Sequence, residues 1–362
     1  MPKLKTIFKL SFLFIFLFIL TGCSSNYLSL NDMAIVSSII IDKEDDNYVT
    51  HIEIYKEEKN ENKSKKESYI VKSKGKHIKD AIDNASLLIG KTLYMVHINA
   101  IVVSKEAIDN NMEIVFNYLS RRIQLNSNYY ILVTDDVDKL LESKDEDNPI
   151  LGEKIKNLTQ FSTNNGAVFK YDFLEKLKNY LNQKIGVVLN KISVEDKNLK
   201  IDEAYYFNDD KIVGTLNQEE VKLINLFKND NNIFLDFTID NKYYILKIDE
   251  STTEYDLSDG ITIKLKALAN LDSVHSDYDL TKLSTITKLN KHANSSIERR
   301  YNELLNKMVN SNSDFLTIND YIYRVNGYQK YDVFKDKVKF NIDITISKKG
   351  LMQNTIGGYT NG

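Results

Sequence analysis

The first 23 residues constrain this chain more than any other stretch. Lys3, Lys5 and Lys9 form a basic head, Leu10 to Leu20 is apolar apart from Ser11, and the run closes in Leu20-Thr21-Gly22-Cys23. A helix that crosses the hydrocarbon core needs roughly 20 apolar residues. This run has about half of that, the length of the hydrophobic region of a secretory signal peptide. No later apolar run approaches spanning length, so everything beyond Cys23 is expected outside the cytoplasm.

Leu20-x-Gly22-Cys23 behind a short hydrophobic region resembles the lipobox of bacterial lipoproteins. That resemblance implies a diacylglycerol thioether on the Cys23 sulfur, cleavage before Cys23 and a lipidated new N-terminus. One acyl chain holds a protein to a bilayer marginally, whereas two hold it stably, at about 0.8 kcal/mol per buried CH2. Residues 1–22 are therefore assigned as signal peptide, and the chain is expected on the outer face of the cytoplasmic membrane. Cys23 is the only cysteine. No intramolecular disulfide can form, so a large core has to supply stability, and no thiol remains for nucleophilic catalysis. Losing three lysines takes the formal charge from −3 to −6. A mildly acidic chain without a basic stripe argues against nucleic acid.

From Ser24 onward the pattern alternates between strand-like and helix-like segments. Segments 34–42 and 48–56 read as a hairpin about a charged turn, 57–66 as a polar excursion, and 67–73 as a third strand. Ile78, Ile82, Ala85 and Ile89 share one helical face. Leu93 to Val103 is almost continuously apolar and is expected to form one central strand buried on both faces. Ile108, Met112, Val115 and Leu119 predict one helix over 106–119, followed by a strand at 128–133 and a short helix capped by Asp135. Asn148 and Pro149 are expected as N-cap and first residue of a further helix. The pattern blurs near 161, where a domain boundary is placed.

Beyond it come a helix over 172–183 and strands at 187–194 and 199–207. Asn217-x-x-Glu220 reads as a capping box before a helix at 221–227. Strands at 233–239, 243–248, 261–271 and 338–346 surround one long helix near 280–308, and the pattern at 318–323 assigns no type. The expected fold class is α+β: three mixed α/β domains at 23–160, 161–215 and 216–350, with helices packed on sheets, the long helix in the C-terminal domain, and a flexible tail at 351–362.

Local catalytic signatures are missing. No Gly-x-Ser-x-Gly, His-Glu-x-x-His, Gly-Lys-Ser/Thr or Gly-x-Gly-x-x-Gly occurs. His51, His77, His97, His275 and His292 never stand at metal-ligand spacing. His97, inside the apolar run, is read as a hydrogen-bonded structural side chain rather than a catalytic one. Residues 42–46 (Asp-Lys-Glu-Asp-Asp) lack the glycine and closing glutamate of an EF-hand and are read as a solvated turn. A carboxylate pair for glycoside chemistry leaves no local motif, and a surface hydrolase stays open on that ground. No catalytic residue, cofactor or metal is assigned. The chain is expected to act through surface contacts, without a small-molecule pocket of its own. Arginine loses less on desolvation than lysine, so the adjacent Arg121 and Arg122 are the candidate anchors of a partner interface.

Four groups of residues recur in a telling order. They are Ala34-Ile35-Val36 with Ile41-Asp42 and Tyr48-Val49-Thr50; Ser73-Lys74-Gly75 before a helix with Ala81; Lys91-Thr92-Leu93-Tyr94-Met95-Val96-His97 with Val102-Val103 and Leu119-Ser120-Arg121; and Lys211-Ile212-Val213-Gly214-Thr215-Leu216 with Glu219 and Glu220. Behind a lipobox, this order resembles the C subunit of bacterial spore germinant receptors, the GerAC-type lipoprotein family, over the mature chain down to Gly350. Two places depart from it. Members often carry Trp-Asp and an Arg-Glu pair after the lipid cysteine, where Ser24-Ser25-Asn26-Tyr27 stands here. An Arg-Asp after the second helix is Arg121-Arg122 here. The resemblance implies three mixed domains, no enzymatic activity, and assembly with membrane-spanning A and B subunits in the spore inner membrane. It also places the small germinant on the B subunit. The rival reading is a solute-binding lipoprotein of a transporter, whose two lobes of repeated strand–helix units fit poorly with a strand-rich C-terminal half.

Overall fold

A computed structural model describes residues 29–56, 67–121, 129–145, 149–170, 173–182, 185–326 and 330–348. Its first sheet contains β1 (Met33–Glu44), β2 (Asn47–Tyr55), β3 (Ser68–Gly75), β4 (Thr92–Tyr94), β5 (Ala100–Ser104), β6 (Tyr130–Thr134), β7 (Val188–Glu195), β8 (Asn198–Asn208) and β9 (Lys211–Asn217). They lie in the order β3-β2-β1-β5-β6-β7-β8-β9, with β4 beside the start of β1. Val36, Ile39, Ile40 and Ile41 give β1 the branched side chains that suit a strand buried on both faces. Its hairpin with β2 turns at Asp45, which takes φ 53°.

β1, β5 and β6 are parallel, so helices must carry the chain back between strands. Those of the N-terminal half are α1 (Ile78–Ile89), α2 (Lys105–Ile108), α3 (Met112–Ser120), α4 (Val137–Glu142), α5 (Leu151–Asn164) and α6 (Phe173–Leu181). The buried side chains of α1, α2, α3 and α6 fill a core on one face of the sheet. Those of α4 and α5 fill a second core on the other.

The remaining elements are α7 (Gln218–Phe227), β10 (Ile233–Ile239), β11 (Lys242–Asp256), β12 (Ile261–Val274), α8 (Leu283–Ser311), α9 (Ile318–Asn326) and β13 (Val338–Lys348). The sheet β10-β11-β12-β13 buries one face against α7, α8 and α9 and leaves the other polar. Asn217 caps α7, and its box with Glu220 is closed in both directions. The two halves meet along β7 and β8. Leu189, Tyr205 and Phe207 face the N-terminal core, while Val188, Ala204 and Tyr206 face the C-terminal one. Strand periodicity alone makes these apolar runs serve two cores at once.

Several expected elements differ in the structure. Leu93–Val103 is not one strand. β4 pairs with Met33–Ile35 and β5 with Ser38–Ile41, and between them the chain turns so that the Asn99 N–H donates to Ser37 O at 2.8 Å. Met95 and Ile98 are buried in that turn, which is why hydropathy could not reveal it.

The helix expected over 106–119 is cut into α2 and α3. Asn110 takes φ 58° and donates to Asp210 O, and Asp109 Oδ1 accepts from the Ile212 N–H. Tertiary bonds to the β8–β9 turn interrupt an otherwise continuous apolar face. The short helix α4 is capped by Asp136, one residue beyond Asp135. α5 starts at Leu151, past Pro149, and Asn148 lies outside the described residues. β11 extends eight residues beyond Ile248, through a polar stretch whose pairing with β12 carries the ion pairs Lys264–Asp256 and Lys266–Glu254. Residues 318–323 belong to helix α9.

Candidate functional site

Of the residues singled out from sequence, Cys23 and Arg122 lie outside the described residues. Arg121 is exposed at the C-terminal end of α3, where its N–H donates to Leu119 O. His97 is a correction. It is exposed in the turn after β4, edge-on to the Tyr94 ring at 5.9 Å, and is not a core side chain. Asp45 and Asp46 form the exposed hairpin turn, and Glu44 pairs with Lys72 at 2.9 Å. Among the described residues, no group of three His, Cys, Asp or Glu side chains stands together as a metal site.

Open α/β sheets place ligands outside the carboxyl ends of their parallel strands. Here that place holds a charge network just after β6. Lys191 Nζ lies 2.8 Å from Asp135 Oδ2 and 2.7 Å from Glu203 Oε2, and the Tyr205 hydroxyl donates to Asp135 Oδ1. Burial pulls the Lys191 ammonium down, but its bonds to Asp135 and Glu203 outweigh that and hold it above the usual lysine range. Burial raises the Tyr205 hydroxyl, and its bond to Asp135 raises it further. Lys191 is thus shared by two carboxylates, and no free ammonium stands there.

A second polar centre, invisible in the sequence, holds the two halves together. The Ser313 hydroxyl donates to Phe207 O, the Gly186 N–H donates to Asp314 O at 3.0 Å, and Asn182 Nδ2 donates to Asp320 Oδ1 at 2.6 Å. Gly186 has no room for a side chain, since a Cβ there would stand 2.3 Å from Ser313 Oγ and 3.0 Å from the Phe315 nitrogen. Thr317 takes φ 63°, a costly conformation for a β-branched residue, and Asp314 caps the helix α9 that follows. Its carboxylate accepts from the Ile318 and Asn319 N–H groups at 3.0 and 2.7 Å.

Beside this junction opens a cavity of about 600 Å³, lined by Tyr180, Gly186, Phe207, Asp209, Asp314 and Phe334 among others. No local motif announces it. Asp314, and Asp210 and Asp332 nearby, already accept bonds within the chain: Asp210 takes the Tyr180 hydroxyl, and Asp332 the Asn319 amide.

Burial pushes the Asp314 carboxyl up to about 7, although the N–H groups of Asn319 and Ile318 pull the other way. The folded value lies above the ordinary 3.8, so the native state keeps a proton that the unfolded chain releases between these limits. The stability tied to Asp314 is fully present below about pH 4. It declines by up to about 1.4 kcal/mol per pH unit as pH rises toward 7, and then levels. Asp314→Asn should flatten that decline in urea midpoints measured from pH 5 to 7. Parallel slopes for variant and parent would contradict the assignment.

A third centre is Glu53 on β2, buried with 1% exposure. Its two carboxylate oxygens accept from the Leu151 and Gly152 N–H groups at 2.7 and 2.8 Å, and from the Ser68 and Ser38 hydroxyls at 2.6 and 3.0 Å. It thus supplies from a distant strand the cap that Ile150 cannot give α5.

Two protein-family models match this chain. The spore germination protein N-terminal domain matches residues 26–194, and the spore germination B3/GerAC-like C-terminal domain matches 202–350. The chain belongs to the GerAC-like spore germination family.

The resemblance read from the order of segments is thereby borne out, as is the mixed α/β fold. Among solved structures, the GerBC protein superimposes with a TM-score of 0.52 at 15% identity, over 85% of this chain and 96% of that one. At such identity the shared property is the fold. No curated protein sequence matches the chain. In this GerAC-like chain the two family models adjoin at the β7–β8 hairpin, the same pair of strands that serves both cores.

Proposed function

We propose that this chain is the lipid-anchored, non-catalytic C subunit of a germinant receptor, required for assembly or signalling in nutrient-triggered spore germination. Diacylglyceryl-Cys23 holds it at the outer face of the spore inner membrane beside the A and B subunits. Membership of the GerAC-like family across both halves carries this reading, and the lipobox-like start supports the anchor. The mutual pairing of Asp135, Lys191 and Glu203 fits a structural role in a scaffold. In this reading residues 161–215 form the connecting unit, contributing α6 and the strands β7 and β8 that face both cores. Spores lacking the chain should lose the response to at least one nutrient and regain it on complementation. A deletion strain that germinates normally with every nutrient tried would overturn the proposal.

The cavity beside Asp314 favours a second reading, an extracytoplasmic solute-binding lipoprotein. Neighbouring genes separate the two: two multi-spanning subunits accompany a receptor chain, an ATPase and a permease accompany a solute-binding one.

Partner contact is assigned to Arg121 and Arg122. Changing both to alanine should leave the melting temperature unchanged, because Arg121 is exposed, and should reduce co-purification of the A and B subunits several-fold. The competing role, two charges that favour the C-terminal end of α3, predicts an intact complex and normal germination.

A further inference from the structure

The tether determines which end of the first sheet meets the bilayer. β1, β5 and β6 are parallel and begin at one end, and β4 pairs with the first three residues of β1. Helix α1 leads from the end of β3 to the start of β4, so its last turn lies at that same end. The Asp32 N–H donates to Ser29 O at 2.9 Å, closing a helical turn at Leu30–Asp32 that runs directly into β1. Between Cys23 and Ser29 remain six Cα steps, at most about 20 Å of extended chain. β1 is 12 residues long, about 40 Å at strand spacing. Even stretched back along β1, the tether covers half the strand, so the sheet cannot stand upright with its Asp45-Asp46 turn down on a bilayer that holds Cys23.

At the near end stand Leu87 and Leu88, 79% and 68% exposed on the last turn of α1. Leu87 and Leu88 are adjacent and so present two large aliphatic side chains together at one helix end, where Leu283 and Leu181, comparably exposed, have no exposed leucine next to them in the chain. Leu174, at the start of α6, is exposed too, and α6 begins where the Phe173 N–H donates to Tyr129 O beside the start of β6. We propose that Leu87 and Leu88, with Leu174 beyond them, form a membrane-contact edge that enters the headgroup region of the bilayer carrying the Cys23 lipid. The proposal rests on the lipoprotein reading of Cys23. Acyl chains already supply the affinity, so what the leucines add is orientation: they hold the body upright on its tether and fix the side it presents to neighbours.

Cys23 is the only native cysteine and its sulfur is consumed by lipid, so one introduced cysteine is a unique labelling site. Leu87→Cys and Leu88→Cys, in the full lipidated chain, are labelled with nitrobenzoxadiazole. The chain is then reconstituted into phosphatidylcholine–phosphatidylglycerol vesicles containing doxyl lipid. Both labels should lose most of their fluorescence to the quencher, and a label at Asp46→Cys should lose none. The mass of the Cys23 peptide is read first. A peptide without the diacylglyceryl mass contradicts the anchor, and the orientation falls with it. A lipidated chain whose labels at 87 and 88 are quenched no more than the one at 46 overturns the membrane contact alone. Labels that become shielded only when the A and B subunits are co-reconstituted also overturn it, and assign these leucines to a protein contact.

Discussion

Replacing Glu53 with alanine should lower the folding stability by about 3–5 kcal/mol, the cost of breaking a buried, fully bonded charged group. Four donors converge on this carboxylate, two of them the first free N–H groups of α5. Truncation strands those donors in a site that water does not readily enter. The helix cannot shift to find other partners, because a Cβ on Gly152 would already stand 2.7 Å from Ser37 O. Glu53→Gln keeps one acceptor oxygen but turns an amide NH2 toward an N–H and loses the charge that favours a helix N-terminus, so an intermediate loss is expected. Urea midpoints of the three proteins test this. A Glu53→Ala protein within about 1 kcal/mol of the parent would mean that the sheet and α5 are held together by apolar packing, since a single ordinary hydrogen bond is worth that much.

Cys23→Ala should move the chain from the membrane fraction to the soluble one and abolish incorporation of labelled lipid. Two acyl chains at about 0.8 kcal/mol per CH2 supply far more binding energy than exposed leucines can, so the shift should be nearly complete in cells that lack the A and B subunits. The three cores lie within residues 34–346 and do not include the tether. The variant should therefore melt as the parent does. A Cys23→Ala chain that stays with membranes through a high-salt wash, in the absence of both subunits, would contradict the lipid anchor.

Much of the fold was legible because burial in this chain follows simple periods. The hairpin β1–β2, the helices α1 and α7, the long helix α8 and the strand β13 all show one apolar face or one alternation, and all stand where that pattern puts them. What escaped was decided by partners far away in sequence. The turn between β4 and β5 is apolar because it is buried, and the break between α2 and α3 exists because Asp109 and Asn110 bond to the β8–β9 turn. The blurred stretch after α5 is held by side-chain amides instead of a ladder: Asn190 bonds both backbone groups of Phe169, and Asn225 takes the carbonyls of Gly166 and Val168. Glu53 occupies a position that strand alternation reads as ordinary, and its role depends on a helix nearly a hundred residues later. The junction at Gly186 and Asp314 is likewise written in two segments more than a hundred residues apart. Arg121 stands exposed at the C-terminal end of α3.

The most direct measurement is purification of the tagged, full-length chain from spore inner membranes in mild detergent, with its companions quantified by mass spectrometry. A germinant receptor C subunit should bring down two multi-spanning proteins in constant ratio to itself, and Cys23→Ala should reduce their yield without unfolding the chain. Recovery of the chain alone, or with an ATPase and a permease in place of those two proteins, would contradict the assignment.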